Sequence, residues 1–116
     1  MDQNQPRARV LVVDDEADLI RILVFGLKSM GYAVETASDG QEGLKKAREM
    51  KPDIILLDLM LPKLDGYKVC RLLKFDERYK NIPIIILSAR TQEGDQSLAM
   101  EMGANLFITK PYDFSE

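Results

Sequence analysis

The 116-residue chain has the length and composition of one soluble domain, with 46% hydrophobic and 30% charged residues. Its formal net charge of -3 argues against a nucleic-acid-binding surface, because such surfaces usually carry a net basic patch. The longest apolar runs fall far below the roughly 20 residues of a membrane span, and the start MDQNQPRAR lacks the apolar stretch of a signal peptide. These features predict a cytoplasmic protein that binds neither nucleic acid nor membrane directly.

The sequence contains no histidine and one cysteine. Without histidine there is no Ser-His nucleophile pair, no imidazole general base and no histidine metal ligand. Cys70 alone provides neither a disulfide nor a cysteine metal site, and its apolar neighbours predict a position in the core. Any chemistry must therefore use carboxylates, hydroxyls and lysine.

Short apolar runs alternate along the chain with segments of helical periodicity. In chain order, the predicted strands are RVLVV (9–13), YAVETA (32–37), DIILL (53–57), IPIIIL (82–87) and LFIT (106–109). The helices between them are predicted over 16–30, 40–50, 66–76 and 93–102. Gly31 and Gly103 end the first and fourth helices, and Asp65 is the expected N-cap of the third. Residues 1–7 are expected to be flexible, and 1–116 to form one domain.

Strand-helix alternation at this spacing predicts right-handed βαβ units, a parallel sheet and helices on both sheet faces. The first, third and fourth strands are continuously apolar, whereas the second contains Glu35 and Thr36. Fully apolar strands belong in the middle of a parallel sheet, so the second strand is expected at an edge. This favours the strand order 2-1-3-4-5, with ligands bound at the carboxyl ends of the strands, beside the switch point between strands one and three.

The run IILLDLMLP (54–62) contains one carboxylate, Asp58, among apolar residues. A charge taken from water without a partner costs free energy of folding. Asp58 comes directly after the third strand, where the chain is expected to reach the end of the sheet. We therefore expect Asp58 to lie among other polar groups rather than in the core.

Polar side chains follow the other strands at the same end: Asp14 and Asp15 after the first, Ser88 after the fourth and Lys110 after the fifth. Taken singly, the two aspartates are also explained as helix caps, the serine as a loop hydroxyl and the lysine as a surface residue. Together, three carboxylates repel each other and favour a hard divalent cation such as Mg²⁺. A carboxylate surrounded by a metal, an ammonium and a hydroxyl suits phosphoryl transfer through an aspartyl phosphate.

The chain resembles a response-regulator receiver domain of two-component signalling. The resemblance is carried by VLVVDDE (10–16), IILLDLMLPKLDG (54–66), IILSA (85–89) and GANLFITKP (103–111), in the family's order and spacing over nearly the whole chain. It implies a flavodoxin-like, doubly wound α/β fold and a signalling switch that is activated by phosphorylation. It also implies a phosphoacceptor domain that catalyses its own Mg²⁺-dependent phosphorylation and dephosphorylation, rather than an enzyme with other substrates.

The resemblance assigns Asp58 as the phosphoacceptor, which takes the phosphoryl group of a phosphohistidine or of a small phosphodonor. It assigns Mg²⁺ to Asp15 directly and to Asp14 largely through water, together with Asp58 and the backbone carbonyl of Met60.

Three further residues have roles in the switch by resemblance. Ser88 is expected to hydrogen-bond the attached phosphoryl group, and Lys110 to pair with another of its oxygens. Phe107 falls at the position of an aromatic side chain that turns inward when the hydroxyl moves, and its alternative role is core packing.

The partners that the resemblance implies are a sensor histidine kinase or histidine phosphotransfer protein, a downstream effector domain or protein, and a second copy in a homodimer. Residues near Ala17, Asp18 and Ile20 on the first helix are expected to contribute to partner choice. The family has a fifth helix, which would begin about where YDFSE (112–116) ends this sequence. Without most of that helix, we expect exposed apolar sheet surface and a tendency to associate.

Three other functions are compared with this one. A haloacid-dehalogenase-type phosphatase also uses an aspartate after a strand, but it has a second aspartate two residues on, where this chain has Met60. A P-loop nucleotidase needs a glycine-rich loop ending in Gly-Lys-Ser/Thr, which the sequence lacks. A degenerate receiver, which docks partners without being phosphorylated, stays open as the alternative.

Overall fold

The computed structural model describes residues 8–59, 61, 63–88 and 95–109, without the side chains of residues 88, 95, 96 and 109. Strands and helices alternate through this part of the chain. They are β1 (Arg9–Val13), α1 (Ala17–Ser29), β2 (Ala33–Ala37), α2 (Gly40–Met50), β3 (Ile54–Asp58), α3 (Gly66–Lys74), β4 (Ile84–Ser88), α4 (Asp95–Glu101) and β5 (Leu106–Thr109). All nine match predicted elements, and their ends differ from the predicted ones by at most two residues. The predictions for residues 1–7 and 110–116 lie outside the described residues.

The five strands form one parallel sheet in the order β2-β1-β3-β4-β5, which confirms the predicted doubly wound α/β fold. In the register, Val13 lies opposite Leu57, Asp58 opposite Leu87, and Ser88 opposite Thr109. The strands therefore end together, and the segments that follow β1 and β3 emerge side by side at the switch point.

The sheet separates two apolar clusters because successive side chains of a strand point to opposite faces. The larger cluster lies under α2, α3 and α4, and its buried strand residues are Leu11, Val13, Ala37, Ile55, Leu57, Ile84 and Ile86. The smaller cluster lies under α1 and is formed by the buried residues Val10, Val12, Leu23 and Leu87. The continuously apolar strands β1, β3 and β4 contribute side chains to the apolar clusters on both faces. They therefore occupy the middle of the sheet, where both faces are covered.

The α1 side of the sheet carries most of the exposed apolar surface in the described part of the chain. Phe25 is 78% exposed, and Ile22 and Met30 on the same helix are exposed as well. Leu106 and Ile108 of β5 lie on this face, because their register partners Ile85 and Leu87 belong to the smaller cluster. Both side chains are exposed. No helix among the described residues is long and apolar enough to span a membrane.

Side-chain caps begin two helices. Asp65 accepts the backbone N–H of Lys68 at 3.0 Å, which confirms it as the N-cap of α3. Asp39 accepts the N–H of Glu42 at 2.8 Å and caps α2 in the same way. After α1 the chain turns at Gly31, whose φ of 95° lies in the region that glycine adopts without steric cost.

Candidate functional site

Two buried carboxylates mark the carboxyl end of the sheet. Asp14 follows β1 and is fully buried, and Asp58 is the last residue of β3 and is 3% exposed. Among the described residues, these two are the buried charged side chains. The N–H of Asp14 donates to the carbonyl of Ala37 at 3.0 Å, so it extends the pairing of β1 with β2 by one residue. Carboxylates are rarely buried in a protein core, so a pair of them at one end of the sheet indicates a site rather than apolar packing.

Glu16 joins the two aspartates in one acidic cluster. A carboxylate oxygen from each of Asp14, Glu16 and Asp58 lies within 4.8 Å of the other two. Three formal negative charges at this separation are stabilised by a cation, and carboxylate oxygens are the donors that hard divalent cations prefer. The residues present therefore fit a divalent metal ion.

The turn after β1 explains how Glu16 reaches this cluster. Its N–H donates to Oδ1 of Asp14 at 2.9 Å, a local bond that folds the chain back over two residues. Glu16 occupies the N-cap position of α1 without a side-chain capping bond. Neither Asp14 nor Asp15 holds that position, so the alternative role of the two aspartates as the N-cap of this helix is not observed.

The observed cluster and the predicted metal ligands overlap in part. Asp14 and Asp58 are in both sets, whereas Asp15 is exposed and stands outside the cluster. Glu16 was missed by sequence reasoning. The signal for it is the run DDE, in which Asp14 and Glu16 are two residues apart and are joined by the turn. Met60 lies outside the described residues.

Gly66 brings the start of α3 against the backbone of Asp58. A Cβ at position 66 would lie 2.3 Å from the carbonyl oxygen of Asp58 and 2.7 Å from Cα of Leu59. The N–H of Gly66 donates to the carbonyl of Leu59 at 3.0 Å. The first residue of α3 therefore lies against the peptide that ends β3.

The other predicted site residues are described less completely. Ser88 ends β4 opposite Thr109, and its side chain lies outside the described part. Phe107 is half-buried and packs against the larger cluster. Lys110 falls outside the described residues.

Cys70 is the one sulfur nucleophile in the sequence, and the fold suppresses its reactivity. Its side chain is buried as predicted, and its Sγ–H donates to the carbonyl of Met102 at 3.5 Å. Burial raises the pKa of the thiol from 9.0 to about 11, and the nearby Lys74 opposes this only in part. The thiol is therefore neutral near pH 7 and is not a candidate nucleophile.

The family model for the response regulator receiver domain matches residues 10–116. The chain belongs to this family. It is 48% identical over 104 residues to the alkaline phosphatase synthesis transcriptional regulatory protein PhoP of Bacillus subtilis, covering 90% of this chain and 42% of that protein. It is 42% identical over 106 residues to the DNA-binding response regulator MtrA of Mycobacterium leprae, covering 91% and 46%. The receiver domain thus spans less than half the length of these relatives.

Solved structures agree with the fold of this receiver domain. A putative response regulator from Chloroflexus aurantiacus superposes with a TM-score of 0.87 and 31% identity, covering 94% of this chain and 88% of that one. The CheX-CheY-BeF3-Mg²⁺ complex from Borrelia burgdorferi matches with a TM-score of 0.82 and 34% identity, covering 90% and 79%. The chain is the receiver domain of a phosphorylation-activated signalling switch, as the sequence predicted.

Proposed function

We propose that Asp58 accepts a phosphoryl group from the phosphohistidine of a sensor histidine kinase or histidine phosphotransfer protein, or from a small phosphodonor. The observation that carries this assignment is the placement of Asp58, nearly buried at the end of β3 and clustered with Asp14 and Glu16. Water is largely excluded from such a carboxylate, and the charges around it suit a metal-assisted transfer.

The metal in this proposal is Mg²⁺. When bound, it would neutralise charge on the phosphoryl oxygens during the transfer. Asp58 supplies a carboxylate oxygen to its site and Asp14 contacts the metal largely through water, while the backbone carbonyl of Met60 is assigned to it by the family resemblance. Asp15 and Glu16 are competing candidates for the remaining carboxylate. The choice of Mg²⁺ is supported by the oxygen-only donor set and by the magnesium in the Borrelia complex.

The transfer forms one bond and breaks one. A carboxylate oxygen of Asp58 attacks phosphorus and forms a P–O bond, while the bond from phosphorus to the donor breaks. The electron pair of that bond leaves with the imidazole nitrogen of a phosphohistidine or with the carboxylate oxygen of acetyl phosphate. Water later attacks the phosphorus, the P–O bond to Asp58 breaks, and inorganic phosphate leaves with the water oxygen while the carboxylate of Asp58 is restored. The domain thus promotes both its own phosphorylation and its dephosphorylation.

The attached phosphoryl group adds about -1.5 to -2 charges at the end of the sheet. We assign the hydroxyl of Ser88 and the ammonium of Lys110 to its oxygens, and the inward turn of Phe107 to the resulting change. The strand register supports the assignment of Ser88. Asp58 lies opposite Leu87 of β4, and the next residue of β4 is Ser88, which lies opposite Thr109 of β5 at the same end of the sheet. The half-buried state of Phe107 is compatible with a side chain that moves between two packings.

In this proposal, the domain acts in the cytoplasm between a kinase and an effector. Residues near Ala17, Asp18 and Ile20 contribute to kinase choice, and all three lie on α1 next to the acidic cluster in sequence. The effector, a domain or a separate protein, reads the state of the switch, and this domain itself does not contact nucleic acid.

Intact-mass spectrometry after incubation with acetyl phosphate tests the phosphoacceptor. The expected result is one phosphoryl adduct that depends on Mg²⁺ in the wild type and is absent in Asp58→Asn. Glu77→Gln is the matched control, since it removes a carboxylate that is 87% exposed and outside the cluster and should leave the adduct unchanged. No adduct on a folded wild-type sample would contradict the proposal and favour a degenerate receiver.

Mg²⁺ titration of the same reaction separates the two candidate ligands. The variant that removes the true ligand, Asp15→Asn or Glu16→Gln, should raise the Mg²⁺ concentration for half-maximal rate by about tenfold, and the other variant should change it little.

A further inference from the structure

In the connection between β3 and α3, residues 63–65 pack against the first residues of α2. They lead directly to Gly66, which lies against the backbone of Asp58. Two contacts join them to α2, one between backbones and one between charged side chains.

The backbone contact is made at Gly40, the first residue of α2. A Cβ at position 40 would lie 1.6 Å from the carbonyl oxygen of Leu64 and 2.6 Å from its carbonyl carbon. Only glycine permits this approach, because any side chain would occupy the place of the Leu64 carbonyl. Leu64 itself is half-buried against the larger apolar cluster, so the loop is held from both sides.

The charged contact joins Lys63 to Asp39. The ammonium nitrogen of Lys63 lies 3.5 Å from Oδ2 of Asp39, whose other oxygen caps α2 through the N–H of Glu42. The side chain of Asp39 is 13% exposed. The N–H of Glu42 and, to a smaller extent, the charge of Lys63 hold the pKa of Asp39 below its ordinary value of 3.8, although partial burial opposes them. Asp39 is therefore a half-buried anion that is paired with Lys63, whose own side chain is 63% exposed.

The backbone of Lys63 indicates that this contact matters for the loop. Its φ of 68° lies in the left-handed region, which is sterically unfavourable for a residue with a Cβ. Glycine would adopt the same conformation freely but could not reach Asp39. The ion pair with Asp39 thus offsets part of the conformational free-energy cost of placing lysine at this position.

We infer that Asp39 and Lys63 form a positioning pair for the phosphoacceptor, by anchoring residues 63–65 to the N-terminus of α2. Displacement of these residues would move Gly66, and with it the peptide that follows Asp58, because Gly66 lies against the Asp58 carbonyl and is hydrogen-bonded to Leu59. This inference rests on the proposed role of Asp58 as the phosphoryl acceptor. The pair touches neither donor nor phosphoryl group and acts only through the loop.

The test is the rate of phosphorylation by acetyl phosphate with saturating Mg²⁺, followed by intact mass over a range of acetyl phosphate concentrations. Asp39→Asn keeps an oxygen to cap α2 and removes the charge, and Lys63→Gln removes the other charge. Each should lower the maximal rate by roughly three- to tenfold, with little change in the half-saturating concentration. The double variant should be no slower than either single variant, because both remove the same interaction.

Two further variants separate positioning from a general loss of charge or stability. Lys63→Arg keeps the cation and should retain nearly the wild-type rate. Lys80→Gln removes the ion pair between Lys80 and Glu77, whose nitrogen and oxygen are 2.9 Å apart, and should leave the rate unchanged. Thermal unfolding of every variant shows whether a slower rate reflects an unfolded fraction.

Each contrary outcome has its own meaning. Wild-type rates in both single variants would overturn the positioning role and leave the role of Asp58 intact. Additive losses in the double variant, no rescue by Lys63→Arg, or a loss of rate in Lys80→Gln would also overturn it. A lower unfolding temperature with an unchanged rate would reduce the pair to a structural contact. A wild-type protein that takes no adduct would instead overturn the proposed function, and this inference with it.

Discussion

At the scale of single residues, the site depends on backbone contacts that only glycine allows as much as on carboxylates. Gly66 lies against the carbonyl of Asp58, and Gly40 lies against that of Leu64. In both places a side chain would push the loop after β3 away from the helix that holds it. The LDG motif near the start of α3 therefore has a spatial reason, namely the close approach of α3 to the end of β3.

Gly66→Ala should destabilise the protein by about 1–3 kcal/mol, the usual cost of forcing extra atoms into a packed place. The added Cβ would lie 2.3 Å from the Asp58 carbonyl oxygen, so backbone must shift. Gly26→Ala is the matched control, since nothing lies within 4 Å of its Cβ position and alanine suits the interior of α1. Urea unfolding checks both, and equal stability of Gly66→Ala and wild type would disprove the contact.

Cys70 should react with iodoacetamide far more slowly in the folded protein than in urea at pH 8. Its thiol is buried, and its pKa is raised from 9.0 to about 11. Because the folded state keeps the proton more tightly, this contribution to stability is present below pH 9 and is lost as the pH rises toward 11. Alkylation followed by mass spectrometry measures the first effect, and unfolding curves at pH 8 and pH 10 measure the second. Equal alkylation rates in both states would contradict the buried position.

At the scale of elements, hydrophobic periodicity predicted all nine strands and helices and the edge position of β2. These features depend on local pattern, since an apolar strand has to be covered on both faces wherever it lies in the sequence. The ends were predicted less well: β4 begins at Ile84 rather than at Ile82, and α3 ends at Lys74 rather than at Asp76. Helix and strand ends depend on which neighbouring groups complete their hydrogen bonds, and these neighbours come from distant parts of the chain.

Asp65→Ala should lower the free energy of unfolding by about 1 kcal/mol, the typical cost of losing an N-cap. The carboxylate accepts the N–H of Lys68, which would otherwise lack a partner within the first turn of α3. Asp65→Ser retains a capping oxygen and should recover most of the loss. Chemical denaturation measures both variants, and an alanine variant as stable as the serine variant would show that the cap contributes nothing.

At the scale of the whole molecule, the two sheet faces differ in how well they are covered. The face under α2, α3 and α4 holds the larger cluster, whereas the α1 face shows exposed apolar residues on both α1 and β5. Ile22, Phe25, Gly26 and Met30 also line a cavity of about 330 Å³ together with Leu23 and Leu27. Exposed apolar surface of this kind favours association.

The protein should therefore associate as its concentration rises, and the double variant Ile22→Ser, Phe25→Ser should associate much less. Phe75→Ser is the control, because Phe75 on the far side of the fold is 73% exposed and lies at the end of α3. Sedimentation velocity over a range of concentrations distinguishes the three proteins. Association that is equal in wild type and double variant, or that is lost in the control, would exclude the α1 face as its cause.

The sequence by itself determined the strand order and the grouping of Asp14 with Asp58, because both follow from local apolar pattern and from the rule that parallel strands end together. Only the tertiary structure decided that Glu16 rather than Asp15 clusters with them, and that Gly40 and Asp39 hold the loop after Asp58. The turn at Asp14 directs Glu16 toward the cluster. The packing of the start of α2 against Lys63 and Leu64 accounts for the contacts of Asp39 and Gly40. Side-chain direction after a turn and contact between distant segments depend on three-dimensional packing, which periodicity along the chain does not record.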